Sequence, residues 1–167
     1  QNALNLLLAD KYQSMYEGRK IPINKVLVGV EKNSRGELIT TFIATGEGKS
    51  IMERTENENG NFSVYNGKVA ASYSKKDNIF LIEEVDTEGP AIGKQLFLKL
   101  KNENIEFLGI KKLLGRDAEV YKVTFSEERV TELWFDKETD ILAREGQIIN
   151  GKAHEEGKLI SLKIVSK

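Results

Sequence analysis

The feature that most constrains the fold is a change in the spacing of apolar residues close to Gly18. Before it, apolar residues recur at intervals of three and four, the spacing that lines one face of a helix. This stripe consists of Leu4, Leu7, Leu8, Tyr12 and Met15. After Gly18 the apolar and β-branched residues alternate with period two, which is typical of strands. The sequence therefore predicts one amphipathic helix over residues 2–16, followed by β-structure.

Turn signals follow one another at short and fairly even intervals. Asn66-Gly67 and Asn150-Gly151 are the sharpest, because a two-residue type I′ turn needs positive φ at both positions and these residues tolerate it. Strands are predicted near residues 25–32, 37–45, 49–56, 61–65, 68–73 and 79–84, as a meander, and then near 105–110, 118–125, 130–135, 141–149 and 158–165.

A second amphipathic helix is predicted between these two groups of strands, over residues 91–101. Pro90 opens it, and Ile92, Leu96, Phe97 and Leu100 fall on one face. Such a stripe needs a partner surface, so the helix is expected to act as a lid on the sheet.

These elements together predict a single domain over residues 1–167. The 167 residues suffice for an ordinary hydrophobic core. The expected fold is mainly β (α+β), a strongly curved antiparallel sheet or incomplete β-barrel of about ten strands. Its two amphipathic helices lie on the concave side, where they bury their apolar faces.

Composition excludes several classes of protein. The chain has no cysteine, which rules out thiolate zinc sites, thiol redox chemistry and a cysteine nucleophile. The 25 basic and 26 acidic residues leave a net charge of −1, so nucleic acid is not an expected partner. No apolar run approaches the ~18 residues of a membrane span. The chain begins at Gln1 without an initiator methionine, from which we expect an exported protein whose signal peptide was removed.

Three apparent motifs fail on inspection. Residues 44–50 end in Gly-Lys-Ser, but Ile43 stands where a phosphate-binding loop needs its first glycine. Asp136, Glu138 and Asp140 have the spacing of a calcium loop, yet its required glycine and final glutamate are absent. The single histidine, His154, has no serine elbow to serve. The sequence predicts no catalytic residue, no metal, no cofactor and no enzymatic activity.

Aromatic and large aliphatic residues are the remaining candidates for a site. Most belong to the core, since strands usually carry such residues. Some are expected to line a cavity between sheet and helices, because two short helices fill a large sheet incompletely. The candidate ligand-binding residues are Phe42, Phe80, Leu96, Phe97, Leu100 and Trp134.

Part of the sequence resembles the outer-membrane lipoprotein-sorting carriers, the LolA-like family. The clearest segment, residues 109–146, contains LLGRDAEVYKV followed by LWFDKETDILAR. The N-terminal LLADKY and the hairpin VYNGKV also lie where that family has similar pieces. The resemblance implies a twisted, incomplete β-barrel around helices, with an apolar cavity that shields lipoprotein acyl chains in the periplasm.

Two functions are therefore kept. The first is an exported, non-enzymatic binding protein of the periplasm or cell envelope, expected to be a monomer. It would hold an apolar ligand, such as a lipid or lipoprotein acyl chain, between sheet and helices. The alternative is a protein-interaction scaffold of the cell envelope with a packed core, whose partner docks on an exposed strand edge or on the convex face of the sheet.

Overall fold

The computed structural model describes residues 3–45, 51–85 and 89–167, with side chains of the second helix described from Gly93 onward. The helices are α1 (Leu4–Glu17) and α2 (Gly89–Leu98), and a short 3-10 helix spans Asn102–Asn104. The strands are β1 (Lys25–Lys32), β2 (Leu38–Thr45), β3 (Ile51–Asn57), β4 (Phe62–Tyr65), β5 (Val69–Ser74), β6 (Ile79–Glu84), β7 (Ile105–Leu113), β8 (Arg116–Thr124), β9 (Val130–Asp136), β10 (Leu142–Ile149), β11 (Lys152–His154) and β12 (Lys158–Ser166).

The described chain divides into two compact units, each with its own antiparallel sheet. One unit contains β1 to β6 and β12, in the order β12-β1-β2-β3-β4-β5-β6. The predicted meander from β1 to β6 is thus confirmed, and the last strand of the chain returns to pair with β1. The other unit contains most of α1, then α2, and a sheet in the order β11-β10-β9-β8-β7.

The mainly β, antiparallel fold class is confirmed, with two differences in detail. The described residues form twelve strands in two open sheets of seven and five, where the sequence predicted about ten in one sheet. The unpredicted strand is the three-residue β11. The proposal of a single domain over residues 1–167 stays a prediction. No helix in the described parts of the chain combines the length and the apolar character needed to span a bilayer.

Both helices contribute to one core on a face of the five-stranded sheet. Leu8 and Ala9 of α1 and Phe97 of α2 are buried against inward-facing residues of β7, β8 and β9. These sheet residues are Ile105, Tyr121, Val123, Leu133 and Phe135. Gly93 lies in α2 where an added Cβ would come within 2.3 Å of the Tyr12 ring, so its missing side chain permits close contact between the helices.

The buried face of α1 is rotated relative to the predicted stripe. Leu7 was expected in the stripe but is exposed, whereas Lys11 is buried. The Lys11 ammonium is paired with Glu119 at 3.1 Å and Asp140 at 3.3 Å. A buried ammonium needs such carboxylate partners. Tertiary ion pairing therefore brings a charged residue to a helix face that apolar spacing alone assigns to solvent.

The two predicted Asn-Gly turns adopt different structures. Asn150 and Gly151 have φ of 52° and 78° and connect β10 directly to β11, as a type I′ turn requires. The prediction of a type I′ turn at Asn66-Gly67 is wrong, because only Gly67 has positive φ there. The Asn66 side chain instead accepts hydrogen bonds from the backbone N–H groups of Lys68 and Val69. An Asx turn three residues long thus replaces the tight hairpin.

Candidate binding groove

An apolar groove lies on one face of the seven-stranded sheet, with a volume of about 510 Å³. Its floor crosses β1 to β5, and most of its lining is aliphatic or aromatic. The apolar lining residues are Val26, Phe42, Ala44, Met52, Val64, Val69 and Ala71, and the polar ones are Glu53, Arg54, Tyr65 and Asn66. The Met52 side chain is 52% exposed, so the groove is accessible from solvent.

Strand register brings the lining residues together. Phe42 lies opposite Arg54, and Arg54 lies opposite Val64. Val64 in turn lies opposite Ala71. Residues directly opposite one another in antiparallel strands point to the same face. One continuous row of side chains therefore crosses the sheet, and its small members leave the space that forms the groove.

Arg54 is held in place at this face by neighbouring side chains. Its guanidinium lies 4.5 Å from the centroid of the Phe62 ring and forms an ion pair with Glu56. Phe62 also contacts Tyr73 and Phe80, with ring centroids 5.4 Å and 5.9 Å away. Cation–π contact and ring packing thus build a second patch of apolar surface on the same face, next to the groove.

Two ionisable groups of the lining have altered acidity. Burial raises the pKa of Glu53, although a hydrogen bond from Thr55 opposes the shift. Burial also raises the pKa of Tyr65, as do the nearby Tyr16 and Glu53. Both shifts disfavour charge, which is the effect of a weakly hydrated surface. Glu53 lies opposite Tyr65, and these residues alternate with Arg54 and Val64 along their strands, so both side chains point to the face of the sheet opposite the groove row.

The structure places the six predicted ligand-binding residues at several sites. Phe42 lines the groove. Phe80 belongs to the same sheet and stands on the exposed strand β6 in ring contact with Phe62 and Tyr73, outside the lining. Leu96, Phe97, Leu100 and Trp134 all belong to the other unit. The structure thus brings only Phe42 of the six into this groove.

The three candidate residues predicted on the second helix have different environments, and Leu100 lies just beyond α2, which ends at Leu98 rather than at residue 101. Phe97 is 6% exposed and packs against the rings of Tyr12 and Phe125, at 5.5 Å and 6.1 Å. Leu100 packs against the same core, and Leu96 is exposed. Ile92, the fourth residue of the predicted stripe, lies outside the described side chains. In its own unit, α2 therefore covers a filled core.

Trp134 lies on the face of the five-stranded sheet opposite the helices, because it alternates with the core residues Leu133 and Phe135. Arg144 and Lys111 place their cationic groups 4.8 Å and 5.8 Å from its ring. Its indole N–H donates a hydrogen bond to Glu132 at 2.6 Å. This ring is thus held by two cations on its own sheet.

Sequence reasoning missed most of the groove lining. The alternation of residues within strands indicates on which face of the sheet Val26, Met52, Val64 and Ala71 lie. It does not indicate which residues of the neighbouring strands lie beside them. Strand pairing decides which small residues become neighbours, and a one-residue slip would move them to the other face. The sequence signal that could have identified the site was Phe42 together with the small residues Ala44 and Ala71.

A second, polar pocket of about 450 Å³ lies at the β8–β9 side of the other unit. Arg116 donates to both carboxylate oxygens of Asp136, at 2.8 Å and 2.9 Å, and to Glu138 at 3.0 Å. Burial raises the pKa of Asp136, but hydrogen bonds from Arg116 and Thr139 outweigh it and hold the pKa below its usual value. The ion pairs engage these groups with one another, as in a structural network. No group of three or more potential metal-ligating side chains is found among the residues described.

Comparison with known proteins identifies similar folds but no sequence family. The chain matches no protein-family model and no curated protein. Among solved structures, a chain of the Pseudomonas aeruginosa MucA/MucB complex has a TM-score of 0.62 at 16% identity, covering 93% of this chain and 56% of that one. MucB solved alone has a TM-score of 0.53 at 15% identity, with coverages of 93% and 58%.

A structure from Thermus thermophilus, described as an uncharacterized conserved protein, has a TM-score of 0.57 at 16% identity. It covers 100% of this chain and 90% of that one. The chain spans just over half the length of the MucB chains it matches. At these identities the likeness concerns the fold alone, and it agrees with the mainly antiparallel β architecture.

Proposed function

We propose that this chain is an exported, non-enzymatic binding protein that holds an apolar ligand, such as the acyl chain of a lipid or lipoprotein, in the groove of the seven-stranded sheet. The observation that carries the proposal is the groove itself, whose accessible wall is built from seven apolar side chains. Ligand pockets of proteins typically have volumes of about 300–1,000 Å³ and mostly apolar walls. The groove meets both criteria.

The shape of the lining favours a flexible hydrocarbon chain over a polar ligand. Val26, Val64 and Ala71 come from three different strands, so the apolar surface extends across the sheet rather than forming a compact spot. Burying apolar surface contributes about 25 cal/mol per Å², without any directional requirement.

The proposed site differs from the one expected between sheet and helices. Phe97, the centre of the expected lid, is buried in the core of the five-stranded unit, while the groove lining comes from the seven-stranded sheet. The LolA-like resemblance and the fold shared with MucB support the proposal of an envelope protein of the periplasm. The resemblance includes an acyl-chain cavity, and here the groove is the proposed counterpart.

Titration of the delipidated chain with a fluorescent fatty acid tests this function. Saturable binding of about one fatty acid per chain at micromolar concentration is expected, with competition by the unlabelled fatty acid. A shorter acid of the same head group serves as control, because it buries less apolar surface and is expected to compete weakly. Absence of saturable binding would contradict the proposal.

The second candidate function is a protein-interaction module. MucB, which shares the fold, occurs in a complex with MucA. In this chain, β6 exposes four consecutive apolar residues at the end of the described seven-stranded sheet, which supports docking of another strand. A chain that binds no fatty acid but associates with a different protein through β6 would favour this candidate.

A further inference from the structure

The last strand of the seven-stranded sheet, β6, is unusually apolar for its position. Ile79, Phe80, Leu81 and Ile82 have exposed fractions between 51% and 68%. In the described part of the chain β6 pairs only with β5, so it ends the sheet order. Exposed apolar edge strands promote pairing with further strands, and proteins normally protect them with charges, prolines or bulges.

The backbone direction of β6 can be derived from its link to β5. The N–H of Val85 donates to the carbonyl oxygen of Lys68 at 2.8 Å, so residue 85 directs its backbone groups toward β5. Backbone groups alternate in direction along a strand. Phe80, Ile82 and Glu84 therefore direct their N–H and C=O groups away from β5, where a further strand can form hydrogen bonds with them.

The charges that flank β6 favour an antiparallel copy of itself. Lys75 and Lys76 precede the strand in the exposed β5–β6 turn, and Glu83 and Glu84 end it. Asp77 also lies in this turn, where it accepts a hydrogen bond from the Ser74 hydroxyl at 3.3 Å. Reversing the strand direction places the basic end of one copy beside the acidic end of the other, twice by symmetry.

We infer that two copies of this chain pair through β6 in antiparallel orientation, forming a continuous sheet of fourteen strands from two sets of seven. Phe80 of one copy lies opposite Ile82 of the other, and Leu81 lies on the twofold axis. This register matches outward-directed backbone groups with each other and covers the apolar run. This inference replaces the expectation of a monomer, and it does not depend on the groove binding a ligand.

Single-cysteine variants test the pairing directly, since the chain has no cysteine of its own. At a non-hydrogen-bonded antiparallel pair the Cα atoms are about 4.5 Å apart, within the range a disulfide accepts. L81C is therefore expected to form a disulfide-linked dimer on mild oxidation. E83C lies on the same strand and face, but its two copies would be about 14 Å apart in this register, so it is expected to remain uncrosslinked.

Association of the unoxidised chain provides the second measurement. Sedimentation of the parent chain over rising concentration is expected to shift from the mass of one chain to that of two. L81K places two ammonium groups together at the axis and is expected to abolish the shift. I110K, on the exposed edge strand β7 of the other sheet, is the matched control and is expected to dimerise like the parent.

Circular dichroism of each variant checks that the fold is retained, which is expected because the substituted side chains are exposed. A parent chain that remains monomeric up to hundreds of micromolar would overturn the inference. Equal crosslinking of L81C and E83C would overturn it as well, since random collision or another register would then explain the disulfide.

Discussion

The ring of Phe97 on α2 lies 5.5 Å from the ring of Tyr12 on α1, centroid to centroid, inside the core of the five-stranded unit. Phe97 is 6% exposed and also contacts the ring of Phe125. A tightly packed aromatic residue of this kind contributes mainly to stability. Substituting Phe97 therefore tests whether α2 contributes to stability alone or also to ligand binding.

Replacing Phe97 by alanine is expected to lower the free energy of unfolding by about 3–5 kcal/mol, through lost transfer energy and the cavity left behind. Affinity for a fluorescent fatty acid is expected to remain unchanged, because the groove lining lies elsewhere. L96A is the control on the same helix. Because Leu96 is exposed, the free energy of unfolding is expected to change by no more than about 0.5 kcal/mol. Denaturant unfolding and ligand titration measure both effects. A loss below about 2 kcal/mol together with weaker binding would place the ring against the ligand.

The ion pair between Arg116 and Asp136 predicts a loss of stability in acid. The pKa of Asp136 is lowered in the folded state, so its contribution is present above the usual carboxyl pKa and disappears as pH falls through the folded value. R116M is expected to lower the free energy of unfolding at pH 7 by about 3 kcal/mol, because it leaves the carboxylate buried and unpaired. It is also expected to flatten the acid dependence.

The matched control for R116M is K112M, whose ion pair with Asp117 is exposed to solvent. Ion pairs between exposed side chains contribute little to stability, so a small effect is expected. Unfolding at several pH values between 7 and 2 compares the variants. Equal losses in R116M and K112M would show that the buried pair has no special importance.

The raised pKa of Glu53 predicts that stability depends on pH with the opposite sign. Its pKa is raised in the folded state by burial, so the stability associated with its neutral form is complete below the unfolded pKa and is lost as pH rises through the folded value. The side chain introduced by E53Q cannot ionise. The variant is therefore expected to be more stable than the parent at pH 7, and residue 53 is expected to add no pH dependence to its free energy of unfolding. The comparison is made by denaturant unfolding from pH 4 to pH 7. A variant that is less stable at pH 7 and keeps the parent's pH slope would contradict the prediction.

Local patterns predicted most of the fold. The strands from residue 25 to 84 and their order follow from alternation and turn residues, and the structure confirms them. The Asn150-Gly151 turn was likewise readable, because its φ angles follow from the residue types. Asn66-Gly67 has the same residue types, but side-chain hydrogen bonds of Asn66 select a longer turn. Composition of a turn therefore does not determine its length.

Features that depend on strand register or tertiary ion pairs were beyond the sequence. The exposure of Leu7 and the burial of Lys11 follow from carboxylates more than 100 residues away, at Glu119 and Asp140. Phe42 was identified as a candidate because it is aromatic, but its neighbours Arg54 and Val64 on the groove face follow only from pairing. Aromatic type without register also nominated Trp134, which packs between two cations.

The most direct test of the proposed groove compares A71F with S72F in the fatty-acid titration. Ala71 lines the groove, whereas Ser72 is the next residue of β5 and faces the other side of the sheet. The same ring is therefore added at adjacent positions, and only A71F fills the groove. We expect A71F to weaken binding by about tenfold or more, which corresponds to at least ~1.4 kcal/mol, and S72F to bind like the parent. Unchanged affinity in A71F, or equal weakening in both variants, would contradict binding in this groove.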